Sequence, residues 1–99
     1  MNYRDIISSD TKVLIISKKH CPSCDKLKRL FETINIEFKV YEYQEENDQQ
    51  LLAEIKENTK GTKFPFCYID GKYMGNYEKI EHLLITDKLK RYLDYEIDF

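Results

Sequence analysis

The chain has 99 residues, a formal net charge of −2 at neutral pH and three cysteines. This length fits one small domain, residues 1–99, and is too short for two domains. The small, odd number of cysteines argues against a secreted disulfide-stapled scaffold, and no apolar run is as long as that of a signal peptide or a membrane span, so we expect a cytoplasmic protein with no membrane partner.

The first half of the sequence alternates between strand and helix patterns. A short helix or a cap for the sheet is expected within residues 1–10. Residues 13–16 form a continuous apolar run rich in β-branched side chains, which predicts a strand buried on both faces. Apolar residues then recur at helical spacing up to about Asn35. Strict alternation over residues 36–40 predicts a second strand, and residues 45–59 return to a helical pattern.

The second half begins with a hairpin signal and ends in helices. The pair Asp70-Gly71 lies between two short apolar runs and predicts an antiparallel hairpin. A helix is expected over residues 78–85, followed by a short C-terminal helix that starts from a cap at Thr86 or Asp87. The order βαβα-ββα, with C-x-x-C after the first strand, predicts an α/β thioredoxin-like fold with a central four-stranded mixed sheet flanked by helices.

Two cysteines three residues apart stand at the mouth of the first long helix. With Cys21 at or just before the N-cap, Pro22 takes the first helical position, where its fixed φ suits the first turn. A Cys21 thiolate would face the positive end of the helix, which lowers its pKa, whereas Cys24 would be buried behind it. The position therefore predicts that Cys21 is the attacking thiol and Cys24 the resolving thiol.

The charge distribution supports a thiolate in this region. Residues 1–31 carry seven Lys or Arg side chains and three acidic ones, whereas residues 32–59 carry two and eight. A local positive field favours a thiolate and a small anionic ligand, and the acidic middle of the chain argues against nucleic-acid binding.

Zinc is the main competitor for a C-x-x-C pair. A closed zinc site needs four ligands, and the other candidates are His20, Cys67 and His82. His20 is adjacent to Cys21 and is expected to point away from it, and His82 falls on the polar side of its helix. We therefore expect no metal site, and we interpret Cys67 as a small apolar core residue.

Several motifs together resemble the glutaredoxin family. They are SKKHCPSC at the end of a strand, KFP about forty residues later, and YIDGKYMGNYEKIEHLL, and the family-pattern elements within them span residues 18–78. The family pattern is a lysine three residues before C-P-x-C, a Thr-Val-Pro-like tripeptide, and a Gly-Gly pair followed by two residues that cap the last helix. The chain departs from this pattern at Ser23, where an aromatic residue is common, at Lys63 and Phe64 in place of Thr-Val, and at Asn76 in place of the second glycine. Asn tolerates positive φ, so the tight turn is expected to survive.

The resemblance implies a role for each matching residue. Cys21 would be the nucleophile and Cys24 the resolving thiol. Lys18 would contact the glycyl carboxylate of glutathione or the thiolate. Phe64, before a cis Pro65, would pair its backbone with the cysteinyl unit. The γ-glutamyl end would be held by backbone N–H groups of Tyr77 and Glu78 and by the Glu78 carboxylate.

The function implied by this resemblance is that of a dithiol glutaredoxin. Such an enzyme reduces protein disulfides and glutathione mixed disulfides, with glutathione as reductant and no obligatorily bound cofactor, and it serves electron transport and cell redox homeostasis. Its partners would be glutathione and disulfide-containing or glutathionylated proteins, and we expect a monomer. One alternative is a thioredoxin-class donor reduced by a thioredoxin reductase and serving, for example, ribonucleotide reductase. The other is a module in which two chains and two glutathiones hold a [2Fe–2S] cluster through Cys21.

Overall fold

The computed structural model describes residues 3–8 and 10–95. Its elements are, in chain order, α1 Tyr3–Ile7, β1 Val13–Ser17, α2 Pro22–Thr33, β2 Phe38–Glu42, α3 Gln49–Thr59, β3 Phe66–Ile69, β4 Lys72–Gly75, α4 Tyr77–Ile85 and a 3₁₀ helix Leu89–Arg91. The four strands form one sheet in the order β2-β1-β3-β4. β1 is parallel to β2 and antiparallel to β3, and β3 and β4 form the hairpin. The predicted mixed four-stranded sheet is therefore confirmed.

The central strands face two separate cores. Val13 and Ile15 point to the layer that contains α2 and α4, where Leu27, Phe31 and Ile80 are fully buried. Leu14 and Ile16 point to the other layer, which α1 and α3 cover. This explains why residues 13–16 of β1 are all apolar, because a strand covered on both faces alternates between two cores rather than between core and water.

The strand register brings distant parts of the chain to one edge of the sheet. Ile16 pairs with Phe66, and Cys67 pairs with Gly75. The end of β1, the start of β3 and the end of β4 therefore lie side by side. The Tyr43 N–H donates to the Ser17 carbonyl at 2.7 Å, which adds the end of β2 to the same edge. Every loop that carries a predicted site residue leaves the sheet here.

The second strand starts later than its alternation predicts. β2 is Phe38–Glu42, and Ile36 lies before it. Asn35 has a φ of 56°, its N–H donates to the Glu32 carbonyl, and the Ile36 N–H donates to the Phe31 carbonyl at 2.9 Å. This is a Schellman C-cap, so the Ile36 N–H belongs to the end of α2 and not to the sheet.

The third helix also starts later than predicted, at Gln49 instead of about residue 45. The Asp48 carboxylate accepts hydrogen bonds from the Gln44 N–H at 2.8 Å and from the Tyr41 hydroxyl at 3.0 Å. These bonds hold residues 44–48 in a turn at the end of β2. A carboxylate that satisfies backbone and side-chain donors in this way stabilises a turn in competition with helix.

The predicted cap of the C-terminal helix is wrong, and the helix itself is present only as a short 3₁₀ helix. Asp87 has a φ of 62°, its N–H donates to the Leu84 carbonyl, and the Lys88 N–H donates to the Leu83 carbonyl. Thr86 and Asp87 therefore terminate α4 in a second Schellman motif and cannot start a new helix. The next element is the short 3₁₀ helix, with Lys88 at its N-cap. The short N-terminal helix is confirmed as α1, and none of the helices described is long and apolar enough to cross a membrane.

Candidate active site

The cysteine pair lies at the first turn of α2. Cys21 is the N-cap in extended conformation, and Pro22 occupies the first helical position, as predicted. The Cys24 N–H donates to the Cys21 Sγ, with 3.2 Å between nitrogen and sulfur. The two residues are joined as a disulfide, with their Cα atoms 5.3 Å apart. A sulfur in this position occupies the place of an N-cap oxygen and faces the helix N–H groups, which favour negative charge.

The two cysteines differ in access to solvent. Cys21 retains 8% of its surface exposure, whereas Cys24 is fully buried. An incoming disulfide can therefore reach Cys21 and not Cys24. Cys67 is a free thiol that is fully buried in the core, and burial raises its pKa far above the usual range. This confirms its interpretation as an apolar core residue.

The segment before β3 packs against the cysteine loop. The Phe64–Pro65 peptide bond is cis, in agreement with the resemblance. The Phe64 ring contacts Tyr43, with ring centroids 5.3 Å apart, and the Lys18 Nζ lies 5.1 Å from the Phe64 ring centroid. This cation–π contact holds the lysine beside the segment whose backbone is predicted to bind glutathione.

The turn before α4 differs from the expectation in one detail. The positive φ is carried by Gly75, at +124°, whereas Asn76 is extended, with a φ of −93°. The Asn76 side chain instead caps α4, because its Oδ1 accepts the Lys79 N–H at 3.1 Å. The turn needs one glycine, and the residue in place of the second glycine acts as an N-cap, for which Asn is among the best residues.

Helix α4 begins with Tyr77 and Glu78. Glu78 is exposed, and Tyr77 is half-buried. The Tyr77 hydroxyl donates to the Glu81 carboxylate, and this hydrogen bond raises the pKa of Tyr77. Its ring lies beneath the Lys26 Nζ, 5.9 Å from the centroid. The Tyr77 side chain is thus held between α4 and α2.

One cleft of about 840 Å³ contains Cys21, Lys18 and Phe64. It extends from the cysteine loop past residues 43–46 to α3. Tyr77 and Glu78 do not line it, and Tyr77 borders a separate groove between α2 and α4. The structure therefore brings three of the predicted residues into one cleft, with Pro65 and Cys24 buried next to it and the α4 start outside it.

The cleft also contains residues that were absent from the predicted site, among them Tyr43, Leu52, Lys56 and Lys63. Lys63 had a signal in the sequence, since it replaces a family residue beside Phe64. The others had none, because only the packing of β2 and α3 brings them near Cys21. No group of three or more potential metal-ligating side chains occurs within residues 3–8 and 10–95.

Comparison with known proteins gives consistent results. The family model described as Glutaredoxin matches residues 13–74. The chain is 36% identical over 64 residues to Glutaredoxin-C6 of Oryza sativa subsp. japonica, a match that spans 64% of this chain and 57% of that protein. It is 32% identical over 77 residues to a glutaredoxin of Vernicia fordii, which covers 77% of this chain and 73% of the relative.

The fold is similar to that of a buckwheat glutaredoxin solved as its complex with glutathione. The TM-score is 0.82 over 91% of this chain and 82% of the buckwheat chain, at 22% sequence identity. At this level of identity the comparison establishes the fold, which is thioredoxin-like.

Proposed function

The chain belongs to the glutaredoxin family of thiol oxidoreductases, and we propose that it uses glutathione to reduce protein disulfides and glutathione mixed disulfides. The observation that carries the proposal is the Cys21 sulfur at the N-cap of α2, which accepts the Cys24 N–H in a cleft shared with Lys18 and Phe64. In the reduced protein the same N–H and the helix end stabilise a Cys21 thiolate.

The reaction on a protein disulfide has two exchange steps. The Cys21 thiolate attacks one substrate sulfur, a Cys21–substrate disulfide forms, and the other substrate sulfur leaves as a thiolate that takes up a proton. The Cys24 thiolate then attacks the Cys21 sulfur and releases the second substrate thiol. The Cys21–Cys24 pair has lost two electrons and the substrate has gained them. Two glutathione molecules restore the dithiol and leave as glutathione disulfide.

A glutathione mixed disulfide needs only the first cysteine. The Cys21 thiolate attacks the glutathione sulfur and the substrate leaves as its free thiol. A second glutathione then attacks the glutathionylated Cys21, which releases glutathione disulfide and regenerates the thiolate. Lys18 and the Phe64 backbone bind the glycyl and cysteinyl units, and the Tyr77 and Glu78 N–H groups with the Glu78 carboxylate bind the γ-glutamyl end. We also propose that the protein acts as a monomer in the cytoplasm, where glutathione is abundant.

The electron source is tested by two coupled assays. We expect turnover of a glutathione mixed disulfide when glutathione, glutathione reductase and NADPH are supplied. With thioredoxin reductase and NADPH in place of the glutathione system, we expect no turnover of insulin disulfides. Turnover of insulin disulfides with thioredoxin reductase and NADPH, without the glutathione system, would favour a thioredoxin-class donor over this proposal.

The glutathione site is tested by two charge variants. Lys18→Gln should raise KM for a glutathione mixed disulfide about threefold to tenfold, because the charge-assisted contact of an exposed lysine is lost. Glu78→Lys should raise it at least as much, because attraction for the γ-glutamyl ammonium becomes repulsion. Glu57→Lys, the same charge change at an exposed position of α3 outside the cleft, is the control. Insulin reduction by Glu78→Lys should change little; an equal loss on both substrates would show that Glu78 acts on the fold or the thiolate in general.

A further inference from the structure

The cleft beside Cys21 is larger than the predicted glutathione site requires. The tripeptide is expected to run from Lys18 past Phe64 towards Tyr77 and Glu78, and that last pair lies outside the cleft. The remainder of the cleft extends the other way, along residues 43–46 and α3. A volume of about 840 Å³ is enough for a peptide segment in addition to one end of glutathione.

The walls of the cleft as a whole, including the cysteine loop, carry charges that the protein itself does not neutralise. Four lysines line the cleft against two glutamates, and all six side chains belong to exposed residues: Lys18, Lys19, Lys56, Lys63, Glu45 and Glu46. The ion pairs seen within residues 3–8 and 10–95 include Lys12 with Asp70 and Lys90 with Asp87, and neither of these involves the cleft. The cleft therefore has an uncompensated positive excess in a protein whose total charge is negative.

The floor and one wall of the cleft are formed before any partner binds. Phe64 packs on Tyr43, and Leu52 is half-buried next to them, which gives an apolar floor. The loop that carries the two glutamates is held by the Asp48 carboxylate through the Gln44 N–H and the Tyr41 hydroxyl. An apolar floor with a charged rim is the usual anatomy of a protein-binding surface, and a preformed wall lowers the entropic cost of binding.

We propose that this cleft binds a polypeptide segment of the disulfide substrate, and that it selects segments with acidic residues beside the reactive cysteine. Lys56 and Lys63 are the specificity-determining residues. The glutamates of the 45–46 loop keep acidic side chains on the lysine side, so they orient the segment. This inference rests on the proposed function, since it names the protein substrate that Cys21 attacks. It is based on the unpaired lysines, because an acidic segment is the partner that neutralises the excess.

The proposal is tested with two peptides and no glutathione. Each peptide has one cysteine held as its mixed disulfide with 2-mercaptoethanol, and the residues on both sides of that cysteine are glutamates in one peptide and lysines in the other. The reduced protein converts each mixed disulfide into the free peptide thiol and 2-mercaptoethanol and becomes oxidised at Cys21–Cys24. The second-order rate constant for the reaction of the reduced protein with each peptide is measured by acid quench and chromatography. It is divided by the rate constant for the same peptide with dithiothreitol, which removes differences in the intrinsic reactivity of the two mixed disulfides.

We expect the glutamate peptide to react about threefold to tenfold faster than the lysine peptide at low salt, because two or more exposed charge contacts contribute. The preference should shrink between about 10 and 150 mM ionic strength as screening shortens the range of the field. Lys56→Glu/Lys63→Glu should reverse it, since four lysines against two glutamates become two against four. Lys56→Gln/Lys63→Gln should weaken it without reversal.

The matched control is Lys39→Glu/Lys72→Glu, which makes the same change in net charge at two exposed strand positions outside the cleft. This variant should keep the preference. Equal rates for the two peptides with the unmodified protein, or the same change in both double variants, would overturn the proposal. Because glutathione is absent, loss of peptide selectivity with intact glutathione turnover would refute only this inference. Selectivity without glutathione turnover would refute only the proposed function.

Discussion

Cys21→Ser should lose reduction of protein disulfides and of glutathione mixed disulfides, with a fall in kcat of about a thousandfold or more, as expected for an essential nucleophile. A serine hydroxyl stays protonated at neutral pH and cannot form the mixed disulfide. Cys24→Ser should separate the two activities. Deglutathionylation should continue, because Cys21 attacks the glutathione sulfur and free glutathione completes the cycle. Reduction of insulin disulfides should fail, because it needs the internal resolving thiol.

The control for this pair is Cys67→Ala, which removes the third thiol. Cys67 is fully buried in the core and has no path to substrate, so both activities should remain. The measurement is coupled turnover with the two substrates in parallel for all three variants. If Cys24→Ser also lost deglutathionylation, the route through Cys21 alone would be wrong for this protein.

Gly75→Ala should destabilise the fold by about 3 kcal/mol, because two costs combine. The φ of +124° lies outside the region that L-residues adopt readily, and an added Cβ would lie 2.6 Å from the Lys79 Cβ and Cγ. To relieve the clash between the added Cβ and Lys79, the first turn of α4 must move, and Asn76 caps this turn through the Lys79 N–H. The same movement displaces the N–H groups of Tyr77 and Glu78, so KM for a glutathione mixed disulfide should rise as well.

The matched comparison is Gly71→Ala in the hairpin turn. Its φ is +77°, but the nearest atom to an added Cβ is the Ile7 carbonyl oxygen at 3.8 Å, so only the backbone cost applies. That cost is about 1 kcal/mol. Urea denaturation should place the midpoint of Gly75→Ala well below that of Gly71→Ala at similar m-values. In thermal unfolding, Gly75→Ala should lower Tm by roughly 10 to 20 °C. Equal midpoints would mean that Lys79 moves aside at no cost.

Local sequence signals were sufficient for the elements whose residues interact with near neighbours. The apolar run of β1 identified the strand covered on both faces, and Asp70-Gly71 identified the hairpin. The geometry of Cys21, Pro22 and Cys24 was predictable from helix capping, which involves residues only a few positions apart. In each case the sequence signal lies within one turn or one strand, so it can be read from a short window.

The incorrect element boundaries lie at residues that could either end one element or start the next. Ile36 fits the alternation of a strand, but its N–H is used to end α2. Thr86 and Asp87 have the side chains of helix N-caps, yet they terminate α4, because Asp87 adopts the left-handed conformation and the Lys88 N–H reaches back to Leu83. Propensity does not decide between the end of one element and the start of the next, because the choice depends on how the preceding helix packs.

By itself the sequence determined the candidate reactive motif and the family of this protein: a C-P-x-C pair at a helix start, a lysine before it, and the family to which these motifs belong. The tertiary structure alone decided which other residues surround the cysteine pair. The register of β1, β3 and β4 places Lys18, Phe64 and Gly75 at one edge, and the packing of α3 brings Lys56 towards Cys21 across 35 residues of sequence. Short-range rules fix backbone conformation and capping, whereas the charge and shape of a cleft arise from residues far apart in the chain, which meet only when the sheet and its helices have packed.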